Sequence, residues 1–332
     1  MRYQTRVDLV TVGHALVDVL APVPDTVVSG LGLTKGTMTL VGPGRSDEIL
    51  SSLQPATAVS GGSAANTAVG ASSLGSRVGF VGKVRDDVLG RLFEDDIRAA
   101  GVHFDVAPAV GGPATGRSVV MVTPDGEKTM CTCLGVGDLL APEDVDKGLI
   151  AEASVVYLEG YLCGLEHTDP TIQAALDAAR AGGTLVALSL SDPLWVHLHR
   201  EELAALLPHV GLLFANAGEA CELVGTGDVH AAVDALAQRC RTVVVTQGPG
   251  GCLVATGRRR LQVEAVPVGR IVDTTGAGDL FAAGYLHAYV RGAGPEEAAQ
   301  LGAVTAAEVI GHLGARPAGR LDELAAAAGL AF

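Results

Sequence analysis

A carboxylate stands where the local chain geometry favours an anion. The stretch Ile271-Val-Asp-Thr-Thr-Gly-Ala-Gly-Asp-Leu-Phe-Ala-Ala-Gly284 runs from a strand-like end through Thr274 and Thr275 into Gly276, Ala277 and Gly278, and a helix of small and apolar residues follows. Two glycines around one alanine let successive backbone N–H groups turn toward a single point, and the helix N-terminus adds partial positive charge there. Such a nest suits a phosphate group. Asp279 would repel that phosphate unless it has its own task. One task is to orient a hydroxyl and accept its proton late in an attack, since a free Asp, with a pKa of about 4, is a weak base at neutral pH. The other is to cap or stabilise the positive end of the helix, the commoner role of an isolated Asp at such a place.

Further candidates lie upstream. Asp18 follows the first strand, and a carboxylate there can accept two hydroxyls at once, as in a vicinal diol; the alternative is a turn aspartate. Gly61 and Gly62 allow close backbone approach to a ligand, and Asn66, in the first turn of the next helix, can donate to and accept from a hydroxyl. Taken alone, these three read more readily as a glycine turn with a polar cap. Asn216 and Glu219 stand three apart at a strand-to-helix junction, a spacing that gives a capping box and also puts both side chains on one side. The run Thr246-Gln-Gly-Pro-Gly-Gly251 follows a strand and is either a ligand loop, with Thr246, Gly248 and Gly251 as contacts, or a hairpin turn. Two rival phosphate motifs fail. The chain has no GxxxxGK[ST], and the GxGxxG pattern begun by Gly276 and Gly278 meets Phe281 at its third position. The six cysteines are scattered without a CxxC pair, so buried thiols in a reducing compartment are expected; Cys131 and Cys133 lack a second pair for a zinc set, and His197 and His199, at the same spacing, read as a polar loop or helix start, with a metal site as the alternative.

These residues need elements to hold them. Residues 7–13 read as a buried first strand. Residues 14–45 carry short apolar runs between Gly and Pro, which predicts strands and turns, and Ser46 is the expected N-cap of a helix over 46–54. From 57 onward strands and helices alternate: helix 63–74, strand 77–82 and an amphipathic helix 87–100. Residues 104–133 return to strand patterning, with Pro124-Asp125-Gly126 as a hairpin turn. Strands are then expected at 154–158, 184–189, 211–214, 242–246, 252–255 and 261–266, and helices at 169–181, 199–206, 217–224, 229–239, 278–291, 295–311 and 320–329. Alternation of this kind predicts a mostly parallel central sheet with helices on both faces. With no linker or repeat in 332 residues, the chain reads as a single α/β domain over 1–332, into which about 14–45 and 104–135 insert a small β-sheet lid.

Composition narrows the partners. With 37 acidic and 23 basic residues the net charge is −14, which excludes nucleic-acid binding by general electrostatics and requires local donors or a metal ion to attract any anion. No stretch of about 18 apolar residues implies a membrane span, and MRYQTRVDLVTVG has no signal-peptide core, so a cytoplasmic protein is expected.

Four blocks together resemble the PfkB carbohydrate kinase family, also called ribokinase-like: Gly13-His-Ala-Leu-Val-Asp18, Gly61-Gly-Ser-Ala-Ala-Asn66, Asn216-Ala-Gly-Glu219 and Asp273-Thr-Thr-Gly-Ala-Gly-Asp279. The likeness covers nearly the whole chain, and GGSAANTA, TPDGEKTM and SLSDPLW look most like adenosine-kinase-type members. The resemblance implies a ribokinase-like fold and an ATP-dependent kinase acting on a small molecule, with Asp279 as base and Gly276, Ala277 and Gly278 stabilising charge on the transferred group. It implies substrate contacts at Asp18, Gly61, Gly62 and Asn66, a Mg²⁺–phosphate network at Asn216 and Glu219, often through water, and a nucleotide loop at Thr246–Gly251. Asp273 and Thr275 match positions near a monovalent cation (K⁺) site in some relatives. A nucleoside is the expected acceptor, with Met38, Leu40 and Met121 as an apolar slot for its base; ribose, fructose or a related sugar is the alternative. A catalytically silent binding protein and an NAD-dependent oxidoreductase are remoter readings, set against the intact Asp279 and the broken GxGxxG. Exposed lid strands could pair two subunits into a homodimer.

Overall fold

The computed structural model describes residues 7–54, 57–125 and 127–332. Thirteen strands alternate with helices. They are β1 (Leu9–Val12), β2 (Leu16–Pro22), β3 (Met38–Leu40), β4 (Thr57–Gly61), β5 (Val78–Val81), β6 (Gly116–Val122), β7 (Lys128–Cys133), β8 (Val155–Glu159), β9 (Leu185–Ser189), β10 (Leu212–Asn216), β11 (Thr242–Thr246), β12 (Cys252–Thr256) and β13 (Arg259–Val263).

The large sheet has the order β13-β12-β11-β10-β9-β8-β1-β5. Strands β11 to β5 run parallel; β12 pairs antiparallel with β11, and β13 pairs antiparallel with β12, so that β12 alone runs against the rest. Helices cover both faces, so its inner strands are buried on both sides and read as continuous apolar runs such as Val155–Leu158 and Leu212–Ala215. Alternate residues serve opposite layers. Leu9, Val155 and Tyr157 pack toward the helices Ser63–Ser73, Ala277–Val290 and Pro295–Val309, while Val10, Val156 and Leu158 pack toward Asp169–Gly182.

The small sheet has the order β3-β7-β6-β2-β4. It takes in Thr57–Gly61, a segment the sequence pattern assigned to the alternating part of the chain. Two further expectations fail in this region. Residues 14–45 contain a helix, Asp25–Gly30, where only strands and turns are expected. The next helix is Pro43–Ser51, with Pro43 at its first position and Gly42 as N-cap. Ser46 is therefore no cap: it is fully buried and accepts a hydrogen bond from Arg117 Nε at 2.8 Å. Proline at a first helical position loses nothing, because that N–H has no intrahelical partner anyway. Elsewhere, short helices at Lys147–Glu152 and Pro193–Leu198 had no clear sequence signal.

The two helices close the outer face of the small sheet over Ala21, Val119, Met121 and Cys131. Met121 thus points away from the side that carries Asp18 and cannot line a base slot beside it. Pairing puts Asp18, Ser118 and Thr132 abreast on the inner face, with Met130, Met38, Leu40 and Lys128 on the same side. The hairpin between β6 and β7 closes through Thr123 N–H donating to Glu127 O at 3.0 Å; its expected turn residue Gly126 lies outside the described residues. All six cysteines are free thiols, and all but Cys221 are buried. Among the described residues no helix is long and apolar enough to cross a membrane.

Candidate active site

The expected residues converge at the carboxyl ends of the parallel strands, where open α/β sheets bind ligands. Asp279 is the third residue of the helix Ala277–Val290, whose N-cap is Gly276. Gly276 has φ 78°, and a Cβ there would lie 2.7 Å from the Ala315 side chain, so glycine is required on both counts. Asp279 does not fold back to cap its own helix. Its Oδ1 accepts from Ser63 Oγ at 2.7 Å and its Oδ2 from Asn66 Nδ2 at 2.9 Å, both on the neighbouring helix Ser63–Ser73. Burial pushes the Asp279 carboxyl up to about 6, against the lowering effect of the Asn66 and Ser63 hydrogen bonds.

Asp18 projects from β2 into the same region. Burial pushes it up to about 6 as well; Arg316 and Lys128 oppose the rise, while the charges of Asp279 and Asp273 add to it. The two glycines before Ser63 serve this carboxylate directly. A Cβ on Gly61 would overlap Asp18 Oδ2, and Gly62, at φ 98°, passes against the carbonyl of His14. The close approach inferred from the sequence is thus made first to the protein's own Asp18 and His14.

Two site residues carried no sequence signal strong enough to be named. Glu159, the last residue of β8, is buried and accepts from His14 N at 2.7 Å, His14 Nδ1 at 2.7 Å and Ala64 N at 2.9 Å. It thereby fixes the chain on both sides of the cleft floor. A carboxylate at the end of a wholly apolar strand was the available clue. Arg316 donates from Nε to Ser60 O and from Nη1 to Ala65 O, each at 3.2 Å, and its Nη2 is buried without a partner. Burial pushes this guanidinium down to about 10, with Asp96, Asp18 and Asp279 opposing. Nothing periodic around Gly314-Ala-Arg-Pro marks it.

Asn216 and Glu219 form the full capping box. Asn216 Oδ1 accepts from Glu219 N at 2.9 Å, and Glu219 Oε2 accepts from Asn216 N at 2.9 Å. Burial pushes the Glu219 carboxyl up to about 7, the Asn216 backbone bond opposes this, and the charges of Asp192 and Asp279 add to the rise. Capping therefore leaves a buried carboxylate in a negative field, which a cation would relieve. Thr246 lies beside Asn216 in the register of β10 and β11, and the following residues close a hairpin through Gln247 N–H donating to Gly251 O at 2.7 Å. Gly248 and Gly251 both have positive φ, 56° and 78°.

Asp273 and Thr275 are not an open cation pair. Asp273 is 5% exposed; its Oδ1 accepts from Thr275 N at 2.9 Å, its Oδ2 from Gly314 N at 2.7 Å, and the ammonium of Lys128 forms an ion pair with Oδ2. Burial would raise this carboxyl, but Lys128 and the two N–H groups outweigh it and hold it below the usual range. The basic residues of β6 and β7 are both engaged: Lys128 with Asp273, and Arg117 with Asp47. His197 and His199 are engaged by protein groups, and among the described residues no cluster of three or more His, Cys, Asp or Glu side chains could hold a metal ion. His197 Nδ1 is 2.9 Å from Glu222 Oε1, and the His199 ring packs 4.4 Å from Trp195.

The chain is similar to known proteins over nearly its whole length. The profile of the pfkB family carbohydrate kinases matches residues 36–320. Adenosine kinase from Sinorhizobium meliloti is 42% identical, with a TM-score of 0.93 over 98% of this chain and 100% of that one. A probable sugar kinase protein from Rhizobium etli CFN 42 is 39% identical, with a TM-score of 0.94 over 98% and 100%. Adenosine kinase from Saccharomyces cerevisiae is 27% identical over 92% of this chain and 95% of its own length.

Proposed function

We infer that this chain, which belongs to the pfkB family of carbohydrate kinases and is a phosphotransferase with an alcohol group as acceptor, transfers the γ-phosphoryl group of ATP to a hydroxyl of an adenosine-like nucleoside. The observation that carries the reading is Asp279: a carboxylate at a helix N-terminus whose oxygens are oriented from the neighbouring helix, not spent on capping.

In this reading Asp18 accepts two ribose hydroxyls, with Asn66 and the backbone at Gly61 and Gly62 around the sugar. The acceptor oxygen bonds to the γ-phosphorus as the bond to the β-phosphate oxygen breaks, its proton passes to Asp279, and ADP leaves. The N–H groups at Gly276, Ala277 and Gly278 stabilise charge on the transferred group. Thr246, Gly248 and Gly251 line the nucleotide. Mg²⁺, held by Glu219 and Asn216 through water, would neutralise phosphate charge when bound; the buried, negatively surrounded Glu219 fits that role. The small sheet acts as a lid that excludes water. Its outer face is covered by its own helices, so a homodimer through the lid would have to use the edge strands β3 and β4.

A nucleoside is favoured because half-buried Leu16, Leu20, Met38 and Met130 share the Asp18 face of the small sheet and offer apolar surface to a base. A sugar acceptor is the second reading, supported by the equally extensive likeness to the Rhizobium etli probable sugar kinase. An ADP-release assay over adenosine, other nucleosides, ribose and fructose separates them. Adenosine should give the highest kcat/KM. Turnover of free sugars with none of nucleosides would overturn the nucleoside assignment and leave the kinase intact.

A further inference from the structure

Asp273 is a buried carboxylate that needs a countercharge, and the countercharge comes from a distant element. Lys128 lies on β7 of the small sheet, on the same face as Asp18, and crosses the cleft to pair with Asp273 Oδ2. The side chains are 11% and 2% exposed, so the pair is largely removed from solvent. Asp273 in turn holds the turn that presents Gly276–Gly278, through Thr275 N, and the segment that carries Arg316, through Gly314 N. Three pieces of the site therefore meet at one carboxylate. The sequence resemblance matches Asp273 and Thr275 to positions near a monovalent cation site in some relatives. Here both Asp273 oxygens already have partners, so the donor set does not fit a further resident cation.

We propose that the Lys128 ammonium is this protein's own cation at Asp273, a tethered replacement for a monovalent metal ion, and that it ties the phosphate-binding turn to the seated position of the small sheet. Lys128 is a positioning residue: it touches Asp273, not the reacting atoms. The proposal rests on the kinase reading for its activity measurements alone.

The test exploits the space left by truncation. Wild-type turnover should be unchanged when KCl is replaced by tetramethylammonium chloride at equal ionic strength. Lys128→Ala should fall about tenfold or more in kcat without K⁺, because a buried carboxylate loses its countercharge. It should recover most of that loss with K⁺ or NH₄⁺, but not with tetramethylammonium, which is too large to enter. Lys128→Met, which fills the volume without charge, should be impaired and recover less. Melting temperature gives an arm independent of catalysis: KCl should raise that of Lys128→Ala above its value in tetramethylammonium chloride and leave the wild type unmoved. Several-fold K⁺ activation of the wild type would overturn the proposal. So would a Lys128→Ala variant that is unimpaired, or impaired with neither activity nor melting temperature responding to K⁺ or NH₄⁺. If Lys128→Ala does not fold, Lys128→Gln takes its place, with the same ion comparison deciding. If no acceptor is turned over at all, the kinase reading fails, while the melting comparison still decides the cation.

Discussion

Two carboxylates, Asp18 and Asp279, sit in one cleft and feel each other's charge, and burial pushes both up to about 6. Interacting sites titrate as a pair, so the acid limb of kcat/KM should show an apparent pKa in that region, above that of an ordinary carboxylate. Activity should rise with pH through about 6, since Asp279, as the proposed base, would have to be ionised to accept a proton; a limb remaining near pH 4 would mean that neither carboxylate limits turnover. The sign for stability is the reverse. A carboxyl raised in the folded state binds more protons there than in the unfolded chain, so its contribution is most favourable at low pH and is lost as pH rises from about 4 to about 6. Asp279→Asn removes the ionisation but keeps one acceptor for Ser63 or Asn66. That variant should lose about 10²- to 10⁴-fold in kcat, the usual range for a positioned base, with melting temperature equal to or above that of the wild type. Near-normal turnover would sink the role. At this scale the sequence was informative about Asp279 and Asp18 because motif and position marked them. It was silent on Glu159 and Arg316, whose partners are 145 and 251 residues away in the chain. No local pattern records a contact of that kind.

Elements were legible where burial imposes a period. The inner strands of the large sheet are runs of Val, Leu and Ala bounded by turn residues, and the helix Val88–Ala99 keeps a single apolar face with Phe93 and Ile97 inside. The failures are short or packed against little. Asp25–Gly30 buries only Val28, which leaves no helical periodicity to find. Ser46 looked like a cap because serine often is one, yet Gly42-Pro43 starts the helix a turn earlier. Asn216 and Glu219 show how one pattern can carry two duties. If the capping box were their whole purpose, Glu219→Gln would leave turnover alone. We expect instead that it keeps the helix Ala217–Val224, shifts the melting temperature by only a few degrees at most, since it relieves a buried charge while weakening one returning bond, and raises the Mg²⁺ concentration needed for half-maximal rate about tenfold or more. An unchanged Mg²⁺ requirement would return Glu219 to a purely structural role.

The whole molecule divides its chemistry between two sheets. Asp18 and Lys128 ride on the small sheet, while Asn66, Asp273 and Asp279 belong to the helices and loops of the large one. In the proposed reading a hydroxyl held by Asp18 reaches Asp279 only when the small sheet is seated. Three of the four segments that connect it to the body are short, residues 13–15 after β1, Gly62 after β4 and Leu134 after β7, while residues 100–115 before β6 form a longer one. Gly62 and Gly135 have positive φ, 98° and 57°. A Cβ on Gly135 would overlap the Ala114 carbonyl, as one on Gly62 would overlap that of His14. These glycines hold conformations that other residues resist, so they fix the position of the sheet. Occupancy by acceptor and donor should therefore order both sides of the cleft together. With adenosine and a non-hydrolysable ATP analogue bound, amide exchange should slow in β2 and β7 and in residues 271–279. It should stay unchanged in the helix Leu321–Ala327, whose Leu321 N–H bonds Ser73 at the end of the helix Ser63–Ser73 remote from Asn66. Protection confined to 271–279, with none in the small sheet, would mean that the nucleotide binds without drawing the sheet down. Asp18 and Lys128 would then act from a fixed platform rather than a moving one.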